Sequence, residues 1–296
     1  PHSYSSAASD VYKRQTIWGT SSSWTLTALP LFVWMGEILF RTKLSENLFK
    51  GLSPWMQKLP GGLIHVNVVG CALFAAISGS SAATVATVGK MSIPELRKRN
   101  YPEKILLGSL AGSGTLGLLI PPSIILIIYG VAVQESIAKL FIAGIIPGIM
   151  IALIFMSYVI IWSLINKKSM PKIFEEYSFL EKIKRSKQLL PVIILILAVI
   201  GSIYTGIATA TEAASLGVVG ALILSYFQKS LTLKTFKSSL LGATKTSCMI
   251  AFILAGSTFL SLAMGFTGLP RNLALWIQNM DLSLIHISEP TRPTPI

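Results

Sequence analysis

Two stretches of this 296-residue chain place polar groups inside otherwise apolar sequence. In AAISGSSAATVATVG (residues 75–89), a glycine and three serines at positions 78–81 interrupt a run of small apolar residues. Hydroxyl oxygens, together with the backbone groups that a turn exposes, are ligands for a small cation or an anion. In GTLGLLIPPSIILIIYG (residues 114–130), two adjacent prolines stand at the centre of what would otherwise be an apolar helix.

The paired prolines predict a broken helix. Each proline lacks a backbone N–H and clashes with the preceding turn, at a cost of about 3 kcal/mol in a helix interior. The carbonyls of Gly117 and Leu118 then lose their helical donors, which is unfavourable in hydrocarbon unless another partner replaces them. Broken membrane helices direct carbonyl ends at coupling cations and N-terminal ends at anionic substrates. We therefore predict a Na+ site at Gly79, Ser80, Gly117 and Leu118, with no other cofactor.

Each of these features has a structural alternative. Serines and glycines let membrane helices approach closely, so the tip and the proline break also fit a purely packing role. Glu212 is a carboxylate near the membrane and hence a candidate for ion or substrate traffic. Thr209 and Glu212, however, have the spacing of a helix capping box. Glu37 precedes Arg41 by four residues, which predicts a structural ion pair at a membrane edge.

The composition places the chain in a lipid bilayer. With 52% apolar residues, 12% charged residues and a mean hydropathy of +0.66, it is too apolar for a soluble domain of this length. The net charge of +13 lies in short loops between apolar runs, which excludes a nucleic-acid binder. Histidines, cysteines and acidic residues show no metal or catalytic spacing, so we predict that the protein is not an enzyme.

Loop charges indicate how the apolar runs enter the membrane. Basic residues mark cytoplasmic loops, and the loops 41–58 and 90–104 are both strongly basic although they flank a single run. We therefore predict that residues 62–89 enter and leave on the same side, as a re-entrant hairpin with its polar tip inside the membrane. The seven apolar runs cover about residues 24–40, 62–89, 105–131, 138–165, 189–207, 211–227 and 240–266.

A short internal repeat favours a symmetric all-α membrane protein. FRTKLSENL (40–48) and FTGLPRNL (266–273) share four residues at a constant offset, and each opens an amphipathic stretch after a membrane run. Four matches also fit chance, but the loop charges put the two copies on opposite faces, as in an inverted-topology repeat. Residues 1–15 and 283–296 resemble translated sequencing-adapter sequence, and we predict that they are non-native, or alternatively disordered native termini.

Five segments carry a family resemblance. In their order along residues 24–281, they resemble the large membrane subunit (DctM-like) of tripartite ATP-independent periplasmic (TRAP) transporters of the dicarboxylate and sialic-acid type. Any one segment is weak, whereas the ordered set is specific. The segments are LPLFVWMGEIL, LPGGLIHVNVVGCALFAAISGSSAATVATVGKMSIPELRKRNYPEK, AGSGTLGLLIPPSIILIIYG, TGIATATEAASLGVVGAL and FTGLPRNLALWI.

The resemblance implies an elevator-type secondary transporter of the bacterial inner membrane, in which Na+ drives the uptake of an organic acid. Its implied partners are a small membrane subunit and a periplasmic binding protein that delivers the substrate. It implies a scaffold helix and an amphipathic arm helix in residues 16–58, half of a transport domain in 59–131, and further helices with the start of a second repeat in 132–282. The second hairpin and second Pro-Pro helix of the family do not occur in this sequence, which predicts a fragment.

The resemblance also assigns residues to the first Na+ site and to one wall of the substrate site. The hairpin motif falls on Ser78, Gly79, Ser80, Ser81 and Thr84, and the unwound-helix motif on Gly114, Thr115, Gly117, Pro121, Pro122 and Ser123. Two alternatives stay open at this point. One is a stand-alone elevator carrier for anions, and the other is a non-transporting membrane scaffold subunit in which the hairpin only packs.

Overall fold

The computed structural model describes residues 24–42, 44–171, 177–187 and 189–278, and every regular element in those ranges is helical. The predictions for the two ends, residues 1–15 and 283–296, lie outside these residues. The α-helices are α1 (Ala28–Phe40), α2 (Leu44–Met56), α3 (Ile64–Ser78), α4 (Ser81–Lys98), α5 (Glu103–Gly114), α6 (Ile124–Val133), α7 (Ile137–Ile165), α8 (Phe179–Ser186), α9 (Leu190–Tyr204), α10 (Ala210–Phe227), α11 (Leu233–Thr267) and α12 (Leu269–Gln278).

The chain divides into two compact units, and the site lies in the larger one, residues 23–249. The smaller unit contributes residues 250–278 to the described part, namely the end of α11 and the amphipathic α12. Amphipathic stretches were predicted to open at the two repeat copies, residues 40–48 and 266–273, and α2 and α12 begin within these copies.

The hairpin consists of α3 and α4, joined at Gly79 and Ser80. Gly79 has φ +58°, the left-handed conformation that ends a helix and that glycine adopts without strain. Ser80 is extended, and its hydroxyl accepts a hydrogen bond from the N–H of Ala83, which starts α4. The second limb is longer than predicted, because residues 90–98, predicted as a loop, continue α4 to Lys98. Most of these residues are good helix formers, and Pro94 lies on the exposed side.

The helix after the hairpin is interrupted where the prolines predicted a break. α5 ends at Gly114, a 3-10 turn covers Thr115–Leu118, and α6 begins only at Ile124. The peptide bond between Pro121 and Pro122 is cis. Before the break, α5 is bonded to the hairpin. The side-chain amide of Asn67 in α3 donates to the Leu106 carbonyl of α5 at 3.2 Å and to the Ser109 hydroxyl of α5 at 3.0 Å. The hairpin and the broken helix are therefore joined by buried hydrogen bonds.

Three described helices, α7, α10 and α11, are long and apolar enough to cross a membrane, and α1, α3 and α6 are shorter apolar helices. Large apolar side chains of α7 are exposed: Ile146 is 77% exposed, and Leu153 and Ile161 are also more than half exposed. Such apolar surface is stable in hydrocarbon and unfavourable in water. This confirms the coarse prediction of an all-α membrane protein, while the re-entrant path of the hairpin stays a prediction.

The helix α1 lies between α10 and the hairpin. It packs along α10, and it also contacts α3, the first limb of the hairpin. At the second contact Gly36 is buried against the tip, where an added Cβ would lie 2.9 Å from the Cα of Ser78. On the far side of the broken helix, Gly144 of α7 approaches the Leu119 carbonyl, to which a Cβ would come within 2.7 Å. Small residues thus let two helices approach the hairpin tip and the break closely.

The contact at Gly36 gives a stability prediction. Gly36→Ala should destabilise the fold by about 1–3 kcal/mol, because the new methyl group meets backbone that has to move. The matched control is Gly201→Ala in α9, where nothing lies within 4 Å and the helix should gain up to about 1 kcal/mol. Thermal unfolding in detergent, followed by circular dichroism, measures both. Equal melting temperatures for Gly36→Ala and wild type would contradict the contact.

Candidate functional site

The hairpin tip is held by a network of its own side chains. The hydroxyls of Ser78 and Thr84, both buried, are 3.0 Å apart. The Thr84 hydroxyl donates to the Ser80 carbonyl at 2.8 Å, and the Thr84 N–H donates to the same carbonyl at 3.0 Å. The Ser80 N–H donates to the Ser78 hydroxyl at 3.3 Å. Because its carbonyl already accepts these bonds, Ser80 offers a ligand chiefly its hydroxyl oxygen.

The structure brings the tip and the helix break into direct contact. The N–H of Ile124, the first residue of α6, donates to the Gly79 carbonyl at 3.3 Å. An added Cβ at Gly79 would lie 2.6 Å from the Pro122 carbonyl oxygen, and one at Gly117 would lie 3.0 Å from the Ser81 nitrogen. Two glycines, one in each interrupted stretch, therefore make the contact possible. This is the meeting of backbone ends that the two sequence motifs predicted.

Several polar groups at this contact have no partner among the described residues. The Ser81 hydroxyl oxygen is buried without a hydrogen bond. The N–H groups of Ser81 and Ala82, which open α4, find no acceptor there, and the Gly117 carbonyl finds no donor. The first turn of a helix carries partial positive charge, so these amides suit an anionic group. Hydroxyl and carbonyl oxygens suit a hard cation.

The Leu118 carbonyl is less available than predicted. It accepts a hydrogen bond from the buried Ser123 hydroxyl at 2.7 Å, so of the two predicted carbonyl ligands, Gly117 and Leu118, the Gly117 carbonyl is the one without a described donor. Ser123 stands at the N-cap position of α6, yet its side chain makes no capping bond. The hydroxyl instead replaces a hydrogen bond that the prolines removed. Leu118 stays a predicted ligand, but with one lone pair already used.

Three other residues of the unwound-helix motif make packing contacts or local hydrogen bonds in this structure. Gly114 faces Val85 of α4, whose side chain occupies the place that a Cβ would take. The Thr115 hydroxyl donates to the Gly112 carbonyl, at the end of α5, at 2.7 Å. Pro121 lies near α7, 3.7 Å from a Cβ added at Gly144. The groups left for a ligand are thus concentrated at Ser80, Ser81 and Gly117.

Glu212 makes the capping contacts that its spacing predicted. Its carboxylate accepts hydrogen bonds from the N–H and the hydroxyl of Thr209, each at 2.8 Å, at the start of α10. Within the described residues no hydrogen bond or ion pair joins it to the hairpin tip. A role in ion traffic stays a prediction. The predicted ion pair of Glu37 and Arg41 is confirmed, with nitrogen and oxygen 2.9 Å apart.

A small cavity beside the tip was missed by the sequence analysis. It has a volume of about 40 Å³, and its lining includes Ser78, Ser80, Glu37 of α1 and Thr246 of α11. Glu37 and Thr246 are 209 positions apart, and the spacing of neither residue indicates this location. The helical ion pair of Glu37 is local and predictable, whereas its proximity to the hairpin depends on how α1 packs on α3.

Comparison with known proteins supplies the family. The model of the family described as "Tripartite ATP-independent periplasmic transporter, DctM component" matches residues 4–287. The chain is 33% identical over 266 residues to the C4-dicarboxylate TRAP transporter large permease protein DctM of Pseudomonas aeruginosa, covering 89% of this chain and 61% of the relative. It is 32% identical to the sialic acid TRAP transporter large permease protein SiaM of Vibrio cholerae, with the same two coverages, 89% and 61%.

A third relative is the isethionate TRAP transporter permease protein DctMQ of Oleidesulfovibrio alaskensis, at 32% identity, with 89% of this chain and 41% of the relative covered. The chain therefore spans about three fifths of the two large permease proteins and a smaller share of DctMQ. Since the family model covers nearly all of its residues, the chain belongs to the family of the DctM component of tripartite ATP-independent periplasmic transporters.

Proposed function

We propose that this chain is part of the large membrane subunit of a Na+-coupled secondary transporter that imports organic acids. The observation that carries the proposal is the set of unpartnered groups at the tip: the buried Ser81 hydroxyl, the first amides of α4 and the Gly117 carbonyl. The named substrates of the relatives, C4-dicarboxylate, sialic acid and isethionate, are all organic anions. An organic acid therefore fits both the family and the amide ends at the site.

Na+ and the substrate carboxylate bind different groups of the site. The Gly117 carbonyl and the hydroxyls of Ser80 and Ser81 are neutral oxygen ligands, which suit Na+ at a broken helix. The free N–H groups of Ser81 and Ala82 point from the positive end of α4 and receive a carboxylate. Residues 78–84 and 114–124 contain no charged side chain. A bound Na+ consequently supplies the positive charge that attracts the substrate.

The pattern of contacts supports an elevator mechanism. Hydrogen bonds join the hairpin to the broken helix, at Ile124 to Gly79 and at Asn67 to Ser109, so this unit moves as one body. Its contact with α1 at Gly36 is instead a close approach of the Gly36 and Ser78 backbones, and no hydrogen bond joins Gly36 to the tip among the described residues. A surface of small groups can slide with little loss of hydrogen bonding. We assign α1 and α10 to the static scaffold and the hairpin with α5 and α6 to the moving part.

The proposal includes the partners and location of a tripartite periplasmic system. The large subunit lies in the bacterial inner membrane, a small membrane subunit braces it, and a periplasmic binding protein delivers the organic acid. Selectivity among acids then lies largely in the binding protein, since the tip offers only hydroxyl and backbone groups. The family name and the relatives' names support this assignment.

Uptake into proteoliposomes tests the function as a whole. The large subunit that contains this chain is reconstituted with its small subunit and binding protein, and uptake of a C4-dicarboxylate, isethionate and sialic acid is measured. We expect uptake of at least one acid under an inward Na+ gradient and little uptake when K+ replaces Na+. Equal uptake in both salts would contradict Na+ coupling. Uptake that persists without the binding protein would instead favour a stand-alone carrier.

The broken helix gives a second prediction. Pro121→Ala combined with Pro122→Ala should restore helical donors to the Gly117 and Leu118 carbonyls and weaken Na+ binding at least tenfold. Na+ binding is measured on the large subunit as thermal stabilisation, which reaches about 2.7 kcal/mol at 100 times Kd. Pro94→Ala, at an exposed position of α4, is the matched control and should keep the Na+ response. An unchanged Na+ affinity in the double variant would contradict the site.

The Ser81 hydroxyl gives a third prediction. Ser81→Ala removes a buried oxygen without a protein partner, so it should lower the Na+ affinity about tenfold while barely changing stability without Na+. Ser92→Ala is the control, because the Ser92 hydroxyl of the same helix is also buried and unpartnered but lies three turns away. The same Na+ titration measures both variants. If both lower the affinity alike, Ser81 is not a specific ligand.

A further inference from the structure

The short helix α8 has an uncovered apolar face. It lies in the connection between two apolar helices, α7, which ends at Ile165, and α9, which begins at Leu190. Phe179, Leu180 and Ile183 are 67%, 77% and 41% exposed. At 100° per residue these three side chains fall within an arc of about 100° on one side of the helix. The sequence predicted apolar runs over residues 138–165 and 189–207, and the helix between them was not predicted.

Basic side chains surround this apolar face. Lys182, Lys184, Arg185 and Lys187 follow one another within six residues, and Glu181 is the one acid of α8. The Glu181 carboxylate is engaged locally, since it accepts the N–H of Ser178 at 3.0 Å in a helix cap. The Arg185 guanidinium lies over the Tyr177 ring, 4.3 Å from its centroid. The helix therefore presents an apolar face between basic flanks, with the acidic group held at its N-terminal end.

Contacts with α2 fix the orientation of α8. The indole N–H of Trp55 donates to the Ser186 hydroxyl at 2.8 Å, and its ring meets Phe179 edge to face at 6.3 Å. Just after α8, the buried Leu189 fills the space beside Gly51, within 2.6 Å of an added Cβ. One side of α8 is thus held on α2. Leu180 and Ile183 stay exposed in the described part of the chain.

We propose that α8 lies in the membrane interface and binds the headgroups of anionic phospholipids. Only three residues separate it from α9, an apolar helix that begins at Leu190, so α8 lies near the membrane surface, where an exposed apolar face is stable because it enters the acyl-chain boundary. Each basic side chain near an anionic leaflet contributes about 1 kcal/mol, which corresponds to roughly fivefold in affinity. The four basic residues of this segment outnumber its one acid, and that excess complements a phosphate-rich surface. The inference does not depend on transport.

A fluorescent label at Leu180 tests the inference on the purified full chain in non-ionic micelles. The label is attached through Leu180→Cys in a Cys248→Ser background, since Cys248 is exposed and Cys71 is buried. Phosphatidylglycerol and phosphatidylcholine are titrated separately, and the blue shift of the label reports entry into lipid. We expect half-saturation at a phosphatidylglycerol content at least fivefold lower than that of phosphatidylcholine. High salt should abolish the difference, because it screens the exposed charges.

Charge variants separate α8 from the rest of the chain. Replacing Lys182, Lys184 and Arg185 together by Gln should remove the preference for phosphatidylglycerol, whereas Lys182→Arg with Lys184→Arg should keep it. The matched control replaces three other basic residues by Gln, at Lys229, Lys234 and Lys237, and should leave the label response unchanged. Equal half-saturation by the two lipids in wild type would overturn the inference. A preference that survives in the α8 triple variant would also overturn it.

Discussion

A backbone carbonyl or amide buried in hydrocarbon without a partner is unfavourable by several kcal/mol, and this constraint shapes the hairpin and the broken helix. Most groups freed by the two interruptions are satisfied within the protein. The Ile124 N–H bonds to the Gly79 carbonyl, and the Ser123 hydroxyl bonds to the Leu118 carbonyl. The buried Ser81 hydroxyl and the Gly117 carbonyl, which lie where the two stretches meet, have no partner among the described residues. The candidate site is placed at these groups, because they lie together where the two interrupted stretches meet.

Glycines at three places let the interrupted stretches approach one another and the neighbouring α1. Gly79 adopts a left-handed turn against the Pro122 carbonyl, Gly117 lies against the Ser81 amide, and Gly36 lies against Ser78. The first two contacts lie inside the hydrogen-bonded unit of hairpin and broken helix. The third brings that unit close to α1 at the Gly36 backbone. The same residue type therefore builds a rigid contact within the unit and a smooth contact at its edge.

Local features of the site were predictable from the sequence, whereas its compensating contacts were not. Pro121 and Pro122 break the helix through their own chemistry, and Gly79 ends α3 through its own backbone freedom, so both motifs were found in advance. That Ser123 supplies a donor to Leu118 depends on the path of the unwound backbone. That Glu37 borders the tip depends on the packing of α1. The helix α8 was not predicted, because a group of basic residues between two apolar runs is typical of a loop.

The absence of charged side chains from residues 78–84 and 114–124 has a thermodynamic consequence under the proposed function. A carboxylate that enters this neutral site loses hydration and gains only partial charges from the α4 amides. Na+ bound to these neutral oxygens likewise has no fixed negative charge beside it. Each ion therefore improves the affinity for the other, and linkage makes the improvement equal in both directions. A fixed lysine or aspartate at the site would supply part of the counter-charge itself and would therefore reduce this coupling.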